Sequence, residues 1–137
     1  MLLRLFGATV ENGAKPYPSA TIWAPWNLTM RQGSILGDAV DCYSVAPIEI
    51  GPQATVSQRA YLCSATRDLD DPAMPLAIAP ITLGAKSWVA AEAFVSPGVE
   101  LAEGAVAAAR SVVTKDIAEW TVVAGSPAKP LRERKRF

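Results

Sequence analysis

Histidine is absent from the 137 residues, and that single gap closes several routes at once. Without an imidazole there is no His-bearing zinc site, no Ser-His-Asp triad and no HExxH helix. No metal is expected. Cysteine is scarce, with only Cys42 and Cys63, and two lone thiols read as reduced and partly buried. Neither sign of charge dominates: thirteen Lys and Arg stand against thirteen Asp and Glu, which gives no general pull toward nucleic acid or an anionic membrane. No apolar run is long enough for a membrane span or a secretory h-region, Met1–Phe6 being far too short. A cytoplasmic location is therefore expected, and the Asn27-Leu28-Thr29 sequon is read as without consequence. One imbalance remains. Lys129, Arg132, Arg134, Lys135 and Arg136 crowd the last nine residues.

What is present is a beat of six. Every sixth residue from Leu83 is Leu83, Val89, Val95, Leu101, Ala107 and Val113, and the residue after each is small: Gly84, Ala90, Ser96, Ala102, Ala108 and Thr114. Six is neither the 3.6 of a helix nor the 2 of a lone strand. It marks a repeat whose units bury their aliphatic residues by stacking on one another. A short strand and a bend take about six residues, and three such faces close a triangular coil that stacks at the strand spacing of about 4.8 Å. The expected fold is all-β: a parallel β-helix filling one domain over residues 1–137. A helix over Glu100–Arg110 is the rival, but Pro97, Gly98 and Gly104 interrupt it.

Upstream the beat runs Val10, Pro16, Ile22, Leu28, shifts by two to Met30, Leu36, Cys42, Ile48, and shifts again to Ile50, Val56, Leu62. Met1–Gly7 is expected to cap the open end of the prism, which would otherwise expose strand edges. Trp23 and Trp26 break the small-residue pattern. Outside a β-helix they would pack on a neighbour or stack on a sugar. Between Leu62 and Leu83 the beat stops, and residues 64–80, with Arg67, Asp68, Asp70 and Asp71 before a proline-rich return, read as a loop thrown out of the coil, where solenoids often place function. Beyond Ile117 the chain is expected to leave the prism as a tail over residues 119–137.

Arg110–Asp116 (RSVVTKD) followed by Val122–Lys129 (VVAGSPAK) resembles the closing signature of hexapeptide-repeat acyltransferases. Ile22–Leu28 (IWAPWNL), Asp41–Pro47 (DCYSVAP) and Tyr61–Pro75 (YLCSATRDLDDPAMP) are similar to acetyltransferases of the colanic-acid biosynthesis type, relatives of the galactoside, maltose and nodulation-factor enzymes. The resemblance implies a left-handed β-helix and a homotrimer that moves an acetyl group from acetyl-CoA to a sugar hydroxyl, with the active site between subunits. It places Ala91, Ala109, Thr114 and Lys115 against CoA, and Lys129 and Arg132 at the nucleotide phosphates, where basic groups pair with negative charge.

The match departs from the family at its centre. The segment that carries the catalytic histidine is here Thr66-Arg67-Asp68, so Arg67 stands at the histidine position. A guanidinium stays charged and cannot take a proton from an acceptor hydroxyl. Asp68, Asp70 or Asp71 would then have to serve as base, with Arg67 binding an anionic acceptor or steadying the thioester oxyanion. Cys63 as a covalent acyl carrier lacks an evident activator. Relatives also carry an extra segment before Leu2–Gly7, which bears on acceptor choice. Two other readings stand beside the active O-acetyltransferase: a degenerate homologue that still binds CoA, and a non-enzymatic trimeric assembly subunit.

Overall fold

A computed structural model describes residues 2–137. The six-residue beat is written directly into strands. Three parallel sheets form the faces of a prism, and each coil contributes one short strand to each face. The first face stacks Thr9–Val10, Leu28–Met30, Ile48–Ile50, Ile81–Leu83 and Glu100–Leu101. The second stacks Lys15–Pro16, Ile35–Leu36, Thr55–Val56, Trp88–Val89, Val106–Ala107 and Thr121–Gly125, and the third Thr21–Ile22, Asp41–Tyr43, Tyr61–Cys63, Phe94–Val95 and Val112–Val113. Glu100–Arg110 is strand and turn, so the helical rival fails.

The two-residue shifts of the beat have a simple cause. Leu28–Met30, Ile48–Ile50 and Ile81–Leu83 are three residues long, and both end residues point inward. Strand side chains alternate, so one such strand carries two core residues two positions apart. The filled interior runs from Val10 through Met30, Leu36, Ile50, Leu62 and Leu101 to Val123. Each aliphatic side chain withdrawn from water there contributes about 1.5–3 kcal/mol.

Stacking distance, more than the bend, explains the small residue after each core residue. A Cβ added at Gly51 would lie 2.5 Å from the Leu83 carbonyl of the next coil, and one at Gly84 would lie 2.8 Å from the Leu101 carbonyl. The tight bends use another residue. Gln53, Lys86, Arg59, Glu92 and Arg110 all adopt positive φ at the corners, at a cost of roughly 1–2 kcal/mol each that coil stacking offsets.

The start of the chain is a single helical turn, Leu2–Leu5, whose Leu3 packs on the core and whose Arg4 Nε donates to the Val10 carbonyl at 2.9 Å. Its Leu2, Leu5 and Phe6 stay exposed. Residues 64–80 are more ordered than a loop. Ala65–Arg67 and Leu76–Ile78 pair as an antiparallel hairpin, Ala65 opposite Ile78 and Arg67 opposite Leu76. The chain does not leave the prism after Ile117 either. Val122 and Val123 pair in parallel with Val106 and Ala107, after which Ala128–Glu133 returns antiparallel along that strand.

The last residues lie against the flank. Arg134 stacks on Phe137, 4.7 Å from the ring centroid, and its Nη1 donates to the Lys86 and Gly104 carbonyls at 2.9 and 3.1 Å. Trp120 is buried beneath it and occupies the space that a side chain at Gly104 would need, since a Cβ there would sit 2.3 Å from its ring.

Candidate active site

The corner between the second and third faces is a continuous hydrogen-bonded ladder. The Arg110 amide donates to the Ala91 carbonyl, Glu92 to Gln58, and Arg59 to Asp38, each at 2.9–3.1 Å. Along this edge lies a cleft of about 410 Å³ lined by Ala90, Ala91, Ala108 and Ala109, with Arg132 and Arg134 at its side. Four alanines leave the coil backbone approachable by a thin, flexible chain, and Arg132 offers an anion a guanidinium fork, whereas Arg134 already donates its Nη1 to the Lys86 and Gly104 carbonyls. Such a cleft suits a long ligand with a charged end. Ala91, Ala109 and Arg132, three of the positions expected to meet CoA, are thus brought together.

Others are not. Lys115 lies on the far side of Val113 in a second cleft of about 570 Å³, which it shares with Arg132 and Thr121. Thr114 and Lys129 are exposed and line neither cleft. Arg67 and Asp68 sit on the hairpin arm, exposed and outside both clefts. Arg67 Nη1 donates to the Met74 carbonyl across the hairpin at 3.1 Å. Asp68 Oδ1 accepts the Asp70 amide at 3.0 Å, and Asp71 Oδ1 accepts the Ala73 amide at 2.8 Å. Those are local turn contacts, which occupy the carboxylates without aiming them at a ligand.

The base of the hairpin joins a polar and aromatic cluster on the third face. Buried Ser64 donates to the Tyr43 carbonyl through its Oγ at 2.6 Å, accepts the Ala46 amide at 2.9 Å, and receives the Ala79 amide on its own carbonyl at 2.9 Å. The arm that carries Arg67 is therefore pinned to the strand that carries Asp41 and Tyr43. Outward from that strand the rings of Trp23, Tyr43, Tyr61 and Phe94 form a chain, with successive centroids 5.0, 6.4 and 5.3 Å apart.

Asp41 pairs with Tyr61 across this face. Its Oδ1 is shut off from solvent and receives no hydrogen bond. Burial, with the Cys63 and Asp41 charges adding to it, pushes the Tyr61 phenol up to about 12. Cys42, inward on the Asp41 strand, is likewise pushed up to about 12 by burial and then by Asp41, so it is an inert core thiol. Cys63 is also free and buried, and its thiol donates to the Ala65 carbonyl at 3.1 Å. Sequence reading quoted Asp41–Pro47 as a motif but assigned Asp41 no role. Its orphaned oxygen, a state that the buried Ser87 Oγ shares, is a property of packing that the sequence does not show.

No family model matches the chain. It is 39% identical over 133 residues to the Escherichia coli K12 protein named "Putative colanic acid biosynthesis acetyltransferase WcaF", which covers 97% of this chain and 73% of that one. Among solved structures it superposes on a maltose O-acetyltransferase from Clostridium difficile 630 with a TM-score of 0.81 and 20% identity, covering 98% of this chain and 74% of that one. A hexapeptide-repeat acetyltransferase from Vibrio cholerae, solved in complex with acetyl-CoA, gives a TM-score of 0.84 at 24% identity, covering 98% and 75%. The shared fold is the left-handed parallel β-helix.

Proposed function

The chain belongs to the hexapeptide-repeat acetyltransferases, of the colanic-acid biosynthesis type, and from that membership we propose that it carries acetyl from acetyl-CoA to a hydroxyl of a sugar or polysaccharide precursor. The observation that carries this reading is the alanine-walled cleft with Arg132 and Arg134 beside it. A pantetheine arm is thin and uncharged and suits the alanine wall, while the nucleotide phosphates suit the guanidinium groups. Ala91 and Ala109 line the arm, Arg132 meets phosphate, and Thr114, Lys115 and Lys129 complete the set where the nucleotide leaves the cleft.

The active unit is a homotrimer. The hairpin arm exposes Leu69, Leu76 and Ile78 at 80%, 50% and 54%, an apolar surface that a neighbouring copy would cover. The same packing would carry Arg67 and Asp68 of one copy toward the cleft of the next, which accounts for their distance from it within a single chain. Arg67 then serves as a fixed positive charge toward the thioester oxyanion or an anionic acceptor.

Calorimetry with acetyl-CoA tests the reading. Saturable binding is expected, with Arg132→Ala weakening it about tenfold, the loss of roughly one charge-assisted hydrogen bond. Absence of binding would remove the cofactor and leave a structural trimer. Binding without transfer to any hydroxylated acceptor would leave a CoA-binding homologue that no longer turns over.

A further inference from the structure

The alanine-walled cleft does not end where its alanines do. Pro16, Leu36, Val56, Val89 and Ala107 are in register on the second face. The residues one step past them therefore form a column along the prism: Tyr17, Gly37, Ser57, Ala90 and Ala108. Beside it runs a second column, Asp38, Gln58, Ala91 and Ala109. Toward higher residue numbers both columns are bare methyls, whereas from Ser57 and Gln58 toward lower ones they turn polar. Those two residues line both the alanine cleft and a further hollow of about 760 Å³. The two hollows are one groove with an apolar half and a polar half.

We infer that the polar half is the acceptor pocket and that it takes a neutral pyranose, with Tyr17 under the sugar ring and Asp38 on its hydroxyls. The inference rests on the acetyl-CoA reading above and deepens it. Direction along the groove supports it first. Arg132, assigned to phosphate, lies opposite Val122, and from that coil to Thr55–Val56 there are three strand steps, roughly 14 Å at strand spacing. An extended pantetheine arm covers such a span, so its thioester end arrives where the alanines give way to Ser57 and Gln58.

The polar half is also a built surface. A Cβ at Gly37 would lie 2.9 Å from the Val56 carbonyl, and the bare glycine leaves an open floor between Tyr17 and Ser57. Tyr17, 42% exposed, offers its ring to the C–H face of a sugar. Asp38 is exposed but held: its Oδ1 accepts the Ser19 hydroxyl at 2.9 Å, and Ser19 Oγ accepts the Ala39 amide at 2.9 Å. Asp38 enters no ion pair among the described residues, so its carboxylate keeps acceptor capacity for a vicinal diol. Ser57 Oγ accepts the Trp88 indole N–H at 2.8 Å, which leaves the hydroxyl proton to be donated at the junction of the two halves. Arg59 at the rim is already turned to Glu92, 3.6 Å away. The charge offered to a ligand is thus negative, which favours an uncharged sugar over an acidic one.

The experiment titrates the CoA-loaded protein with neutral methyl pyranosides and with methyl glucuronide, after calorimetry has established that acetyl-CoA binds. Neutral pyranosides are expected to bind, and the glucuronide at least about tenfold more weakly. Asp38→Asn, which keeps the Ser19 contact, and Tyr17→Ala should each weaken the neutral sugars at least about tenfold, while Tyr17→Phe, which keeps the ring, binds as wild type does. Acetyl-CoA affinity and the thermal midpoint should stay as in wild type for all three, and in turnover the loss should fall on the KM for the sugar. A protein that binds acetyl-CoA but none of these sugars would overturn the inference. So would variants that bind the neutral sugars within twofold of wild type, or a glucuronide that binds as well as they do. If wild type does not bind acetyl-CoA, the functional reading itself has failed and the inference falls with it.

Discussion

The first and third faces of the prism are built from the same repeat, yet they treat charge in opposite ways. On the first, Arg31 bridges its neighbours above and below, its Nη1 3.1 Å from Glu11 and its Nη2 3.0 Å from Glu49. The Glu11 carboxylate also accepts the Gln32 amide at 3.0 Å. The two carboxylates, Glu49 foremost, hold the Arg31 guanidinium still more firmly protonated. On the third face the row Thr21, Asp41, Tyr61, Phe94 places one carboxylate among rings and leaves an oxygen without a donor. Stacking at strand spacing makes a ladder of partners easy to arrange.

The largest effect that sharpens this contrast is alkaline. The buried Cys42 thiol beneath the third face is raised from 9.0 to about 12. The unfolded chain therefore releases this proton first, and the folded state holds more protons between the two values. Stability is fully present below pH 9 and falls above it, by about 1.4 kcal/mol per pH unit for this one group, until the folded thiol titrates. Tyr61, raised from 10.0 to about 12, adds to the fall over its own window. Denaturant unfolding from pH 8 to 11 should show the slope, and Cys42→Ala should flatten it above pH 9. An unchanged slope in that variant would place the strain elsewhere than the third face.

Next in size is Arg67→His. The new imidazole should raise kcat toward pyranosides by up to the about 100-fold that a positioned base supplies where there is none. If turnover does not rise, the hairpin arm does not reach the acceptor. The smallest expected effect lies on the first face. Arg31→Ala should move the thermal midpoint only slightly, and 0.5 M salt should erase the difference, because exposed pairs are screened. A large, salt-insensitive loss would mean that this face too carries more than solvated charge.

The sequence reading and the structure part company at particular residues. Leu83, Val89, Val95, Leu101, Ala107 and Val113 are all buried as the beat requires, because a one-dimensional repeat leaves little choice of which residues face inward. The two-residue shifts at Met30 and Ile50 could be seen but not explained, since a third strand residue shows only once the coil closes. Residues 64–80 read as a loop because Pro72, Pro75 and Pro80 mask the hairpin, whose pairing is set by the Ser64 anchor. Thr121–Gly125 read as tail, yet its strand neighbour lies a full coil away at Val106–Ala107.

The sequence by itself determined the stacked-coil architecture, since a period of six with small residues beside each core position buries its aliphatics by stacking, while the family came from the resemblance of its closing motifs, Arg110–Asp116 and Val122–Lys129. It also determined what the chemistry must do without, because no histidine exists to be placed. Tertiary structure alone decided which carboxylate is left wanting. Asp38, Asp41, Asp68 and Asp71 are the same residue type on the same kind of turn-rich chain. Only the folded structure shows that Asp38 takes the Ser19 hydroxyl from the coil before it, that Asp68 and Asp71 take turn amides of the hairpin arm, and that the Asp41 Oδ1, beside Tyr61, is buried without a donor.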